Sequence, residues 1–331
     1  MESTDLAKLI DLATPFAIRV AITLRLPELV AEGTTELGAL AEASGAHQES
    51  LGRLLNHLVG IGLFAETGPA GYGLTDLSRE LLSEDGTWYR GWLNLESPGT
   101  RMDLAFTGML HSIRTGQSAY GAVHGVPFWQ DYQGNDELRK FFGGVMAAYA
   151  WQTGPVLATE FDWTGVNTVL DVGGGIGALL AEVVKANPDL TGEDLDLPPV
   201  AEEADEALAA AGVADRAKFV PGSFFDPIPS GRDVYIISRV LTDWNDENAT
   251  RILSRTAEAA GTGGRILVVE VLAGEDHAKR NTSFDLQSLV LLGGQERSLA
   301  DTEKLVVNAG LTIRGSRGWP GGLVVVECAN P

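Results

Sequence analysis

The chain has 331 residues, enough to bury a substantial core and to form two domains or one large domain with an appendage. Hydrophobic residues make up 44% and charged residues 21%, a balance that excludes a disordered chain. Against 24 basic side chains stand 45 acidic ones, and the formal charge of −21 repels a phosphate backbone over most of the surface, which argues against a nucleic-acid partner.

The start "MESTDLAKLI" lacks a basic segment followed by a long apolar core, and no run elsewhere has the length of a membrane span. The single cysteine, Cys328, excludes an intrachain disulfide and fits a reducing compartment. A cytoplasmic protein without membrane association is expected. From Asp5 to Val30 apolar residues, among them Leu9, Ile10, Phe16, Val20 and Leu24, recur at helical spacing in a stripe too apolar for a free helix. A second copy of the chain is its expected partner, making the protein a homodimer.

Residues 34 to 82 read as helix, turn, helix and a hairpin wing. "TTELGALAEASG" opens with a threonine cap and stops at Gly45; "QESLGRLLNHLVGIG" buries Leu51, Leu54, Leu55, Leu58 and Val59. This is a winged-helix pattern, yet the outward face of its second helix carries only Arg53 as a firm cation, so dimerisation is favoured over DNA binding. Between Trp88 and Asp162 the pattern is helical and rich in large side chains, a few of which suit a pocket for a flat apolar ligand.

From Val166 onward strands and helices alternate. The strands are "NTVLDV", "TGEDLD", "AKFVPG", "DVYIIS", "RILVVE", "LTIRGS" and "GLVVVEC", with helices near 176–187, 199–211, 246–260, 282–292 and 299–309. Such alternation predicts an α/β fold, a doubly wound and mostly parallel sheet with its ligand beyond the carboxyl ends of the strands. The expected division is a helical, winged-helix dimerisation domain over 1–90 and a second domain over 91–331, split into a helical pocket segment (91–162) and a Rossmann-like core (163–331).

Gly173, Gly175 and Ala178 have the G-x-G-x-x-G/A spacing of a dinucleotide turn. Asp171, two residues before the first glycine, repels a pyrophosphate and favours a cation. S-adenosylmethionine, with an ammonium, a sulfonium and no phosphate, fits that requirement. Asp196 stands at the distance where a ribose-binding carboxylate is expected, with a helix N-terminal charge before Pro198 as the alternative.

Together with "GSFFDPIP", "SRVLTDWNDENATRIL", "GGRILVVE" and "LLGGQERS", in that order, the glycine turn resembles the S-adenosylmethionine-dependent small-molecule O-methyltransferases, and the likeness extends over essentially the whole chain. The resemblance implies an intertwined dimer and a methyltransferase core. It also implies cofactor binding by Gly173, Gly175, Asp196 and Phe224, with Ser223 where the family usually has an aspartate, and with Ser238 and Arg239 on the cofactor side. His111, Phe142, Met146, Tyr149, Trp151 and Asp285 are assigned to the acceptor side.

One position departs from the family. Where it typically reads L-H-D-W, this sequence reads "LTDW", so Thr242 replaces the general-base histidine, while the carboxylates that orient that histidine match Glu270 and Glu296. A threonine hydroxyl does not accept a proton at neutral pH as imidazole does. A positioned base contributes about 10²- to 10⁴-fold, and alignment of two reactants roughly 7–11 kcal/mol, so transfer driven by proximity survives the loss. Three chemistries stay open: O-methylation of an aromatic, polyketide-like hydroxyl, N-methylation, and a hydroxylase, decarboxylase or cyclase that retains the cofactor. Glu270 is a candidate for direct action on the acceptor, and Asp243 is read as a cap for the helix that "NDENA" starts. No metal site is expected, because His47, His57, His111, His124 and His277 show no ligand-like pairing.

Overall fold

The structure is a computed structural model that describes residues 6–69, 71–84, 86–271, 282–319 and 322–331. Asp5 and His277 lie outside the described residues. The chain divides into two compact units, Met1–Leu104 and Ala105–Pro331. The division falls after Leu104 and not at residue 90, because the segment that follows residue 90 is tied to the N-terminal helices. Arg19 pairs with Asp103, Trp92 Nε1 donates to Asp103 at 3.0 Å, and the Leu95 amide donates to Thr23 Oγ1 at 2.8 Å.

In the N-terminal unit the expected stripe is broken into three helices, Leu6–Leu9, Ala13–Thr23 and Leu26–Ala31. Arg25, with φ of 55° in the left-handed region, ends the continuous run, and Pro27 suits the first turn of the next helix. Ala17, Ala21, Ile22 and Leu26 are buried, whereas Leu9 and Ile10 are 68% and 72% exposed. The helices Leu37–Ser44 and Gln48–Gly60 follow, with Leu51, Leu55 and Leu58 buried and Leu54 and Val59 only partly so. Gly45 closes the first of these two helices in the left-handed conformation as expected, but its N-cap is Glu36, without a side-chain bond, and not a threonine. Two antiparallel strands, β1 (Phe64–Gly68) and β2 (Gly71–Leu74), form the wing.

All seven expected strands form one sheet in the C-terminal unit: β3 (Thr168–Val172), β4 (Thr191–Asp196), β5 (Ala217–Pro221), β6 (Val234–Ser238), β7 (Arg265–Val271), β8 (Thr312–Gly318) and β9 (Leu323–Ala329). Their order is β5-β4-β3-β6-β7-β9-β8. The first five are parallel, while β9 runs antiparallel to both β7 and β8. Because successive side chains alternate, Val169 joins the core on one face and Leu170 and Val172 that on the other. Strand order reverses at β3 and β6, which opens a crevice at their carboxyl ends.

The long helix Asp136–Glu160, capped by Asn135, closes one side of the sheet. Gly154 allows its close approach to the helix Ala178–Ala186: a Cβ at 154 would stand 3.0 Å from Glu182 Cβ. Every fourth or third residue of the long helix, Phe142, Met146, Tyr149 and Thr153, thereby faces the crevice.

Candidate active site

The glycine turn leaves β3 and enters the helix Ala178–Ala186. Its amides are already engaged. Gly173 N donates to Leu195 O at 2.8 Å, Gly175 N to Asp196 Oδ2 at 2.8 Å, and Gly177 N to Gly174 O at 3.1 Å. Asp196 also accepts from Leu197 N at 2.6 Å. A phosphate cradle needs such donors free. Gly174 has no alternative, since a Cβ there would meet Asp194 Oδ1 at 2.3 Å and Asp171 Oδ2 at 2.7 Å.

The turn is instead surrounded by carboxylates. Asp171 and Asp194 are neighbours across β3 and β4, both are fully buried, and none of their four carboxylate oxygens has a hydrogen-bond partner among the described residues. Burial, with Asp196 nearby, pushes Asp171 up to about 7. Burial and the charges of Asp171 and Asp196 hold Asp194 well above the usual carboxylate range. Burial also raises Asp196, against two backbone amides that favour its charge. Such a cluster gains from a cation and loses from an anion.

A cavity of about 280 Å³ extends from this turn along the carboxyl edge of the sheet. Its walls include Asp171, the glycine turn, Asp196, Ser223 and Phe224 at one end, and Ser238, Arg239, Asp243 and Trp244 farther on. Aromatic rings line much of it. Trp129 stacks on Trp244 with centroids 5.9 Å apart and planes at 14°, and Phe224 meets Trp244 edge-on at 6.0 Å. Tyr132 and Phe142 continue the ring cluster at 5.8 Å, an arrangement suited to flat ligands.

Behind one wall lies an ion-pair network. Arg239, itself in the left-handed region at φ of 57°, donates from Nη1 to Glu270 Oε2 at 3.3 Å and from Nη2 to Glu296 Oε1 at 3.4 Å. Thr242 Oγ1 donates to the same Glu296 oxygen at 3.0 Å, and Asp285 Oδ1 accepts from the Glu296 amide at 2.8 Å. Burial lifts Glu270 to about 7 although Arg239 opposes the shift.

The comparisons with known proteins agree with this geometry. Residues 106–312 match the O-methyltransferase domain, and residues 7–84 match the O-methyltransferase dimerisation domain. The chain belongs to the O-methyltransferase family. It is 44% identical over 311 residues to 2,7-dihydroxy-5-methyl-1-naphthoate 7-O-methyltransferase of Streptomyces carzinostaticus, covering 94% of this chain and 93% of that one. It is 37% identical to aclacinomycin 10-hydroxylase RdmB of Streptomyces purpurascens, over 96% of this chain and 88% of that one. Among solved structures, an O-methyltransferase from neocarzinostatin biosynthesis in complex with S-adenosylmethionine and 2-hydroxy-5-methyl naphthoic acid superposes with a TM-score of 0.92, at 41% identity and 100% coverage of both chains.

Within this O-methyltransferase, all the residues assigned to the cofactor line the one cavity: Asp171, Gly173, Gly175, Asp196, Ser223, Phe224, Ser238 and Arg239. Of the acceptor-side residues, Phe142, Met146 and Tyr149 line it and His111, Trp151 and Asp285 do not. Trp151 is 62% exposed. Two residues beyond Tyr149, it has rotated about 200° around the helix and off the cavity face. Asp285 instead buttresses the Glu296 backbone.

Thr242, Glu270 and Glu296 do come together, but they surround a separate void of about 10 Å³ rather than the main cavity. Arg239 is interposed. Asp243 does not cap the following helix, because Asn245 occupies the N-cap and accepts from Asn248 N at 3.0 Å. Asp243 lines the cavity instead. Asp194 was also missed as a partner of Asp171; a carboxylate on every second residue of "TGEDLD" reads as a solvent face until the pairing with β3 is known. Among the described residues no group of three His, Cys, Asp or Glu side chains is placed to hold a metal ion.

Proposed function

We propose that this protein methylates an oxygen of an aromatic, polyketide-like natural product with S-adenosylmethionine as donor. The observation that carries the reading is the pair of buried, unpartnered carboxylates at a glycine turn whose amides are already engaged. Asp171 faces the ligand's positive charge, Asp196 the ribose hydroxyls, and Phe224 with Ser223 the adenine. The donor supplies an electrophilic methyl on a sulfonium. The apolar walls formed by Trp129, Phe142 and Met146 bind the acceptor and exclude water, and alignment contributes most of the acceleration.

The protein works as a homodimer, a reading supported by the dimerisation-domain match and by exposed Leu6, Leu9, Ile10 and Leu12. Cys328, a lone buried thiol, supports a cytoplasmic setting. No helix among the described residues is long and apolar enough to cross a membrane.

Calorimetry should detect S-adenosylmethionine and S-adenosylhomocysteine but not a nicotinamide dinucleotide. Incubation with naphthol-type acceptors should give a product one methyl heavier and one equivalent of S-adenosylhomocysteine by mass spectrometry. A second reading, non-methylating chemistry, is favoured by Thr242 at the position of the base and by the similarity to a hydroxylase. It requires the acceptor to change while the methyl donor is recovered intact. Nitrogen acceptors, which need no strong base, are tested in the same assay with aromatic amines.

A further inference from the structure

Methyl transfer to a hydroxyl releases a proton, and Thr242 neither faces the main cavity nor has the basicity to take it. Glu270 and Glu296 do not line the main cavity either, and Arg239 engages both. The carboxylates that do line the cavity are Asp171 and Asp196 at the glycine turn and Asp243 beside Arg239 and Trp244. The first two belong to the donor's end. Asp243 stands apart from them on the segment after β6: the charges that act on it are Arg239, Glu270 and Glu296, not the carboxylates of the turn. Its backbone is fixed, since Asp243 N donates to Val240 O at 3.1 Å and residue 294 must be glycine to clear it, a Cβ there reaching 2.9 Å from Asp243 Cα. Its carboxylate makes no hydrogen bond among the described residues, so both oxygens are available to a ligand.

We propose that Asp243 is the proton acceptor for the acceptor hydroxyl, with Arg239, Glu270 and Glu296 as positioning residues behind it. The inference rests on the methyl-transfer reading above. The acceptor's O–H proton passes to an Asp243 oxygen as the acceptor oxygen's electron pair forms the new O–CH₃ bond. The S–CH₃ bond breaks with its electron pair left on sulfur as a neutral thioether. Asp243 then returns the proton to water.

The groups facing Asp243 make a carboxylate fit for this work. Arg239 after β6 shares its charge between Glu270 at the end of β7 and Glu296 before Ser298, and Tyr149 of the long helix acts on Arg239. Burial raises Asp243 to about 8, with Arg239 opposing and Glu270 and Glu296 reinforcing the shift. A base must be ionised to act, so kcat/KM should rise with pH through that value and level off above it.

The test uses the full-length protein, naphthol as a weakly acidic acceptor and nitronaphthol as an acidic one. Asp243→Asn should bind S-adenosylhomocysteine within about threefold of wild type by calorimetry. It should lose about 10²- to 10⁴-fold in kcat/KM on naphthol but less than about tenfold on nitronaphthol, and lose the acidic limb of the pH profile. Infrared difference spectra of the protein without acceptor should lose a carboxyl titration step near pH 8 that wild type shows. An equal loss on both acceptors, or an unchanged pH limb, overturns the assignment. If Asp243→Asn does not fold, the wild-type profile decides: a limb that stays in place across acceptors supports it, and one that follows each acceptor's own pKa refutes it. Wild type that binds the donor but methylates neither phenol defeats the methyl-transfer reading itself, a result distinct from failure of the variant.

Discussion

The two ends of the cavity treat buried carboxylates in opposite ways. At the glycine turn, Asp171 and Asp194 are stripped of water and have no cationic partner among the described residues. At the other end, Glu270 and Glu296 are stripped of water and pinned on Arg239. The first arrangement is incomplete without a positively charged ligand, whereas the second is nearly self-neutralised and holds its shape alone. An unpartnered buried charge thus marks a binding site, and a paired one marks its scaffold.

The sharpest way to break this contrast is to remove the cation from the self-neutralised end. Arg239→Ala should cost about 3–5 kcal/mol in urea unfolding at pH 8, because two largely buried glutamates lose their partner. The loss should be smaller at pH 5. The folded-state pKa of Glu270 already lies above its unfolded value, so the folded protein holds a proton that the unfolded chain has released, and stability falls as pH rises between them. Equal losses at both pH values would show that Arg239 acts through packing and not through charge.

At the turn the opposite sign is expected. Asp171→Asn should weaken S-adenosylmethionine about 10- to 100-fold in calorimetry while raising the Tm of the ligand-free protein by roughly 1–3 °C at pH 8, corresponding to about 1–2 kcal/mol of relieved charge. The folded-state pKa of Asp171 is raised to about 7, so the ionised form is what costs stability, and the gain should shrink toward pH 4. Wild-type affinity for the donor should fall below about pH 7 as the carboxylate is protonated.

Substitutions at Thr242 probe the wall between the two ends. A histidine there must enter a void of about 10 Å³, so Thr242→His should overpack the wall and destabilise by about 1–3 kcal/mol in thermal unfolding. Thr242→Ala, which removes the hydroxyl bonded to Glu296 and to the Gln295 carbonyl, should cost about 0.5–1.5 kcal/mol. The order of these effects separates the scaffold's charge from its hydrogen bonds.

Much of the cofactor end was legible in the chain because its parts are contiguous or one strand away. Gly173 and Gly175 sit on a strand-turn-helix whose period changes at the glycines, and Asp196 ends the next strand in register with it. The acceptor end was less legible. Periodicity placed Phe142, Met146 and Tyr149 on one face but did not exclude Trp151, since an aromatic residue carries the same hydrophobic signal whichever way the helix turns it. Thr242 and Glu296 are 54 residues apart in sequence and share a hydrogen bond that no local pattern announces.

Local chemistry alone determined the strand-helix alternation, the glycine turn and the acidic character of its surroundings, because each depends on neighbours along the backbone. Only the tertiary structure decided which carboxylates pair with Arg239, which are left without a cation, and that Asp243 faces the cavity while Thr242 lies behind its wall. Those choices turn on charges and volumes brought together from β3, β4, β6 and β7, and desolvation acts on a group only once the chain around it has closed.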